Sequence, residues 1–203
     1  MKASQKANCK IVCIKKVVIV FLSVLFAQSG YAQTLSSLLN SKDSVAASEM
    51  IKKGTDVNAV DASGTSALMN ACRLADVWSV SFLLRHGATA DKPKSPKGRT
   101  PLMVACAYYS GKTICSILID YGADVNAISN EGVTALMLAA QNAKLDVIEL
   151  LLSKGAKAEV KDKNGKTAFN YAEKADISDY IKQSVKDTRV DKEGAIILLS
   201  KHQ

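Results

Sequence analysis

The sequence predicts an all-α solenoid of stacked helix-turn-helix units joined by β-hairpin-like finger loops. A glycine-led segment returns about every 33 residues, and a Ser- or Thr-led helix start keeps phase with it. Apolar residues make up 48% of the chain and aromatics only 5%. That balance suits closely packed helices better than a β-sandwich.

The elements follow in chain order. Residues 1–16 are basic, and residues 17–26 read VVIVFLSVLF, apolar but for Ser23. Small residues then run to Gly30-Tyr31-Ala32-Gln33. A basic stretch, a short apolar stretch and small residues at a cleavage point make a secretory signal peptide of bacterial type. Residues 1–32 are therefore expected to be a leader cut after Ala32. A membrane span needs roughly 20 apolar residues, more than this stretch offers, so no stable anchor is expected after cleavage. Cys9 and Cys13 precede the apolar stretch, whereas a lipidated cysteine would follow it. The expected destination is the periplasm, with secretion from the cell as the alternative.

The formal charge of +8 belongs largely to this leader. It holds Lys2, Lys6, Lys10, Lys15 and Lys16 and no acid, which leaves +3 for the rest. That is an ordinary solvated surface, and nucleic-acid binding is not expected.

Residues 33–53 read as a degenerate N-terminal half-repeat that caps the array. Gly54-Thr55-Asp56-Val57-Asn58-Ala59 then recurs as Gly87-Ala88-Thr89-Ala90-Asp91, Gly122-Ala123-Asp124-Val125-Asn126-Ala127 and Gly155-Ala156-Lys157-Ala158-Glu159, with glycine spacings of 33, 35 and 33. Gly64, Gly98, Gly132 and Gly165 follow in phase. After them come Ser66-Ala67-Leu68, Thr100-Pro101-Leu102, Thr134-Ala135-Leu136 and Thr167-Ala168-Phe169. A Ser or Thr there can accept hydrogen bonds from the orphan N–H groups of a helix start, and Pro101 fits the first turn. Gly155 suits a helix end that turns left-handed, and Gly132 suits a tight turn. The predicted pairs are 66–73 with 76–85, 100–108 with 112–121, 134–141 with 144–153, and 167–174 with 177–186. Repeats thus occupy residues 54–186, about four of them. The last carries Glu173, Lys174, Asp176, Asp179, Lys182 and Lys186, as a polar cap should.

These phased motifs resemble the ankyrin repeat family, whose pattern runs T-P-L-H-x-A at a period of 33. Thr100-Pro101-Leu102-Met103-Val104-Ala105 departs from it only in Met103 for the histidine. Thr134-Ala135-Leu136-Met137-Leu138-Ala139 and Ser66-Ala67-Leu68-Met69-Asn70-Ala71 depart a little further. The resemblance extends from Gly54 to about Ser184. It implies a module that binds another protein through its finger tips and the exposed face of each first helix. Carried onto this chain, the finger contacts are Ala62, Ser63 and Thr65, then Pro96, Lys97 and Arg99, then Asn130, Glu131 and Val133, then Lys163, Asn164 and Lys166. The helix contacts are Arg73 and Leu74, Ala107 and Tyr108, and Gln141 and Asn142.

The second full repeat carries two extra residues, one within 92–97 and one near 108–111. Insertions in such arrays map to loops, often on the binding face. Lys92, Lys94, Lys97 and Arg99 make this loop basic. It suits an acidic partner or anionic headgroups, against the plainer reading of a solvated charge run. Trp78 reads equally as an interface anchor or as a filler between second helices.

Chemistry is sparse. Past the leader remain Cys72, Cys106 and Cys115, with Cys72 and Cys106 in the same phase of adjacent repeats. Packed helix axes lie about 8–10 Å apart, too far for a bridge between those two. A Cys106–Cys115 bridge joins two helices of one repeat and stays open, beside the reading of all three as small buried apolar residues. The two histidines, His86 and His202, sit at a helix end and in the tail. No metal spacing, nucleophile–base arrangement or phosphate loop appears, so no catalytic residue, metal or cofactor is expected. The tail, residues 187–203, lies outside the repeats; its AIILL run over 195–199 either covers the last repeat or meets a partner. The expectation is a non-catalytic protein-binding module, monomeric alone, with an immunity protein against a periplasm-acting toxin or a secreted effector as alternatives.

Overall fold

A helix pair this short cannot bury its own apolar face, so it folds only against a neighbour of the same kind. In the computed structural model, residues 35–91, 95–108, 111–173, 196–197 and 200–201 are described. Among them the chain is helical, with one isolated antiparallel bridge between Val60 and Ser66. The helices are α1 (35–40), α2 (Ser44–Lys52), α3 (Ala67–Arg73), α4 (Val77–Arg85), α5 (Pro101–Ala107), α6 (Lys112–Asp120), α7 (Ala135–Gln141), α8 (Leu145–Ser153) and α9 (Ala168–Glu173). First helices α3, α5, α7 and α9 pack side by side in one layer, and α4, α6 and α8 in a second.

The first three predicted pairs, and the first helix of the fourth, appear within a residue of their expected bounds. The segment read as a half-repeat is itself a helix pair, α1 and α2, with Leu35, Leu39 and Ala47 buried. The second helix expected at 177–186 lies outside the described residues, as do the leader 1–32 and most of the tail. In the tail, Ile196 packs against the core and Ile197 is exposed.

Capping explains where the first helices begin. Ser66, Thr100 and Thr134 are extended, and each side-chain oxygen accepts the N–H of a methionine three residues on: Met69 at 3.2 Å, Met103 at 3.3 Å and Met137 at 3.3 Å. Pro101 sits in the first turn, where no intrahelical N–H is needed. Thr167 departs from this pattern. Its backbone N–H and hydroxyl both donate to Asn170 Oδ1, at 3.0 and 3.1 Å. There the acceptor has moved from the cap residue to the third helical position.

The second helices end alike. Gly54, Gly87, Gly122 and Gly155 hold φ near +90°, and the next residue's N–H turns back onto the helix, as in Ala88 N–H to Leu83 O at 2.9 Å. Only glycine enters that region without strain, and the paired bonds satisfy carbonyls the helix leaves open.

In-phase pairs Leu68–Met69, Leu102–Met103 and Leu136–Met137 lie at the centre of the core, each at most 1% exposed. Alanines at 71, 105 and 139 keep adjacent first helices close. The fingers share one turn. Asp61, Ser95, Ser129 and Asp162 each accept, through the side chain, the N–H four residues on, at 2.8–3.1 Å.

The junctions between repeats differ in strength. Asn130 N–H donates to Lys97 O and Lys163 N–H to Glu131 O, both at 3.0 Å, so the later fingers are joined by backbone. Pro96 fills the matching position in the second finger and has no N–H to donate. Asn58 and Asn126 clasp the next repeat with both ends of the amide, reaching Gly87 O and Thr89 N–H, and Gly155 O and Lys157 N–H. Asp91 stands in that phase and can only accept, taking Asp124 N–H at 2.9 Å.

Candidate functional site

The fingers and the ends of the first helices meet on one face. Tyr171, on α9, donates its hydroxyl to Asp162 Oδ2 at 2.9 Å. Its ring borders a shallow pocket of about 220 Å³ lined by Gln141, Lys166, Asn170 and Tyr171. Arg99 and Glu131, from the two preceding fingers, lie near enough to act electrostatically on the Tyr171 hydroxyl. The pocket is smaller than a usual small-molecule site and fits one polar side chain.

Burial and bonding set the protonation states here. Burial, the Asp162 bond and the Asp162 charge push the Tyr171 hydroxyl up to about 12. Burial acts to raise Asp162, but bonds from the Lys166 N–H, the Tyr171 hydroxyl and Asn164 outweigh it and hold the carboxyl below its usual range. Asp162 thus stays ionised and anchors both the fourth finger and Tyr171.

The expected contact residues sort into groups. Ala62, Ser63, Pro96, Lys97, Asn130, Glu131, Lys163 and Asn164 are exposed at the finger tips, and Arg73, Leu74, Tyr108 and Gln141 at the first helices. Thr65, Arg99, Ala107, Asn142 and Lys166 are half-buried. Val133 is a correction: it is 4% exposed, because its side chain turns inward from the finger and joins the core. Asn142 serves the stack. Its Nδ2 donates to Leu138 O at 2.8 Å and to Cys106 O and Ala107 O at 3.3 Å, tying α7 to α5. Asn130 is similarly engaged, its Nδ2 reaching Pro96 O at 3.0 Å. Asn170 and Tyr171 were missed in the sequence because the last repeat reads as a polar cap. Their phase with Met137 and Leu138 was the available signal.

The insertion in the second repeat reshapes the turn between α5 and α6. The corresponding turns elsewhere hold Ala75 and Ala143 at positive φ, +57° and +48°. Here Tyr108, in phase with Leu74 and Asn142 (ψ −1° and 9°), is extended at ψ −169°; the residue is 43% exposed, and its carbonyl accepts from Lys144 Nζ. Lys144 occupies the phase where Asp76 caps α4, taking the Trp78 and Ser79 N–H groups. A lysine cannot accept, so it reaches back into the previous repeat.

Trp78 packs along its own helix. It is 37% exposed and stacks on Phe82 at 5.3 Å, which stacks on His86 at 4.2 Å along α4. All three repeat cysteines are buried thiols, and burial pushes Cys72 well above its ordinary value. Among the described residues, no cluster of three or more His, Cys, Asp or Glu could hold a metal, and no helix is long and apolar enough to cross a membrane.

Stacked helix pairs presenting fingers and first-helix ends on one face define a repeat-built binding module. The chain matches the family model for ankyrin repeats (3 copies) over residues 25–129 and 112–191 and belongs to the ankyrin repeat family. An ankyrin repeat-containing protein of Treponema pallidum (strain Nichols) is 34% identical over 112 residues, 55% of this chain and 37% of that protein. The ankyrin repeat and KH domain-containing protein mask-1 of Caenorhabditis elegans is 36% identical over 124 residues, 61% of this chain and 4% of that one. Neurogenic locus notch homolog protein 1 of Xenopus tropicalis is 32% identical over 126 residues, 62% of this chain and 5% of that one. The chain thus spans well under half the length of each of these relatives. The ankyrin repeat is in general a non-catalytic domain that binds other proteins.

Proposed function

We propose that this protein is an exported, non-catalytic binding module whose finger face holds an acidic segment of a partner protein. The observation that carries the reading is the charge of that face. Lys97, Arg99, Lys163 and Lys166 are set against Glu131, and the acid beneath them, Asp162, is buried and already bonded. Beside Lys166, the pocket at Tyr171 offers a slot for one carboxylate, with the Asn170 and Gln141 amides at its walls. Such a surface steers an acidic partner and rejects a basic one. Export rests on the leader pattern of residues 1–32, and the periplasm is its expected destination.

A pull-down from periplasmic extract tests the reading, with Lys97→Glu plus Arg99→Glu as control. A captured partner is expected to be lost with the double variant and to be released as salt rises. Capture that survives both changes refutes the acidic-partner reading. Fractionation tests the location: protein confined to the periplasm supports it, and protein in the medium favours a secreted effector instead. If a toxin encoded beside this gene were captured, the partner would be that toxin, and protection of expressing cells would establish immunity.

A further inference from the structure

We propose that Cys106 and Cys115 are a redox-active pair that closes to a reversible disulfide, clamping α5 to α6 in the second full repeat. The two Sγ atoms lie 3.9 Å apart, and both side chains are wholly buried. A disulfide needs about 2.05 Å between sulfurs. Closing the gap takes under 2 Å of approach, within reach of side-chain rotation on two packed helices. The inference does not depend on the acidic-partner reading.

The surroundings make the two thiols unequal. Lys144 is buried nearby, and its ammonium favours a thiolate at both sulfurs. The hydrogen bond between the two thiols holds Cys115 low, with the Lys144 charge adding to it against burial. The same bond, with burial, drives Cys106 up. Cys115, just past the uncapped first turn of α6, is the attacking sulfur and Cys106 the resolving one.

Access comes from the start of α6. Cys115 sits there just past the first turn, behind Gly111, which provides no side-chain cap bond. The matching turn of α4 is held by Asp76. An uncapped first turn opens locally at lower cost than the array unfolds, which brings the sulfur to an external disulfide. The Cys115 thiolate attacks that disulfide, forms a mixed disulfide and releases one external thiolate, which takes the proton from Cys106. Cys106 then attacks the Cys115 sulfur and releases the second external thiolate. Two protein thiols become one disulfide, and one external disulfide becomes two thiols.

The pair sits beside a turn that reaches the exposed face. Cys106 O and Ala107 O accept from Asn142, and Tyr108 O from Lys144. The pair thus lies within one turn of the exposed Tyr108 and of the tie from α5 to α7.

The test uses the full chain, reduced and then incubated folded with oxidised glutathione, alkylated and digested with trypsin without reduction. Cleavage after Lys112 separates Cys106 and Cys115, and Cys72 lies on a third peptide, so each pairing is distinguishable. The expected product is the 100–112 peptide joined to the 113–144 peptide, formed equally in Cys72→Ser and lost in Cys115→Ser. The oxidised wild-type protein is expected to melt several degrees higher than the reduced protein, a comparison that needs no variant to fold. Full alkylation of Cys106 and Cys115 after oxidation, or linkage of either to Cys72, overturns the proposal.

Discussion

A pair of glycine variants separates backbone strain from contact between fingers. Gly132 and Gly155 both hold left-handed backbone, at φ +77° and +83°. A Cβ at Gly155 meets nothing within 4 Å, so Gly155→Ala carries only the left-handed penalty, about 1–2 kcal/mol. A Cβ at Gly132 lies 3.0 Å from Asp162 Cα and 3.1 Å from Lys163 N, both backbone of the next finger. That finger must retreat, which strains the bond from Lys163 N–H to Glu131 O, a bond of a kind that contributes about 0.5–1.5 kcal/mol. Gly132→Ala is therefore expected to cost about 1.5–3.5 kcal/mol in all. In a chain of this size each kcal/mol lowers Tm by about 2–4 °C. Paired thermal and urea melts read the difference, and equal losses for the two variants would refute the close stacking of the third and fourth fingers.

Further changes follow from the same geometry. Ala75→Gly removes a left-handed penalty at a half-buried turn and is expected to stabilise by about 0.5–1 kcal/mol after its entropic cost, seen as a higher urea midpoint. Leu136→Ala, at a site 1% exposed in the middle of the stack, should cost about 2–5 kcal/mol, and an unchanged melt would show that α7 is not packed as described. Asp162 has a folded pKa below its ordinary 3.8, so its contribution is full above that value and is lost as pH falls through the folded one. Acid titration of stability should show this slope in the wild type and a shallower one in Asp162→Asn.

Features set by neighbours in the chain were legible in the sequence. Ser66, Thr100 and Thr134 cap a helix three residues away, and the end glycines act within one turn, so phase alone located them. What crosses between repeats was not legible. Val133 reads as a finger residue until the next elements cover it, and nothing local to Lys144 says that it must reach Tyr108. Thr167 keeps the motif yet loses the cap role to Asn170, a competition between two local acceptors that spacing does not rank. The sulfur contact lay between these cases: the sequence confined it to one repeat, and the distance required coordinates.

The uneven junctions bear on where the folded array opens first. Between the third and fourth repeats both devices are present, the amide clasp of Asn126 and the finger bond from Lys163. Pro96 withholds the finger bond two junctions earlier, between the first and second repeats, and Asp91 halves the clasp between the second and third. The earlier junctions therefore part at lower cost than the one between the third and fourth repeats, and local opening of the described array is expected to begin there.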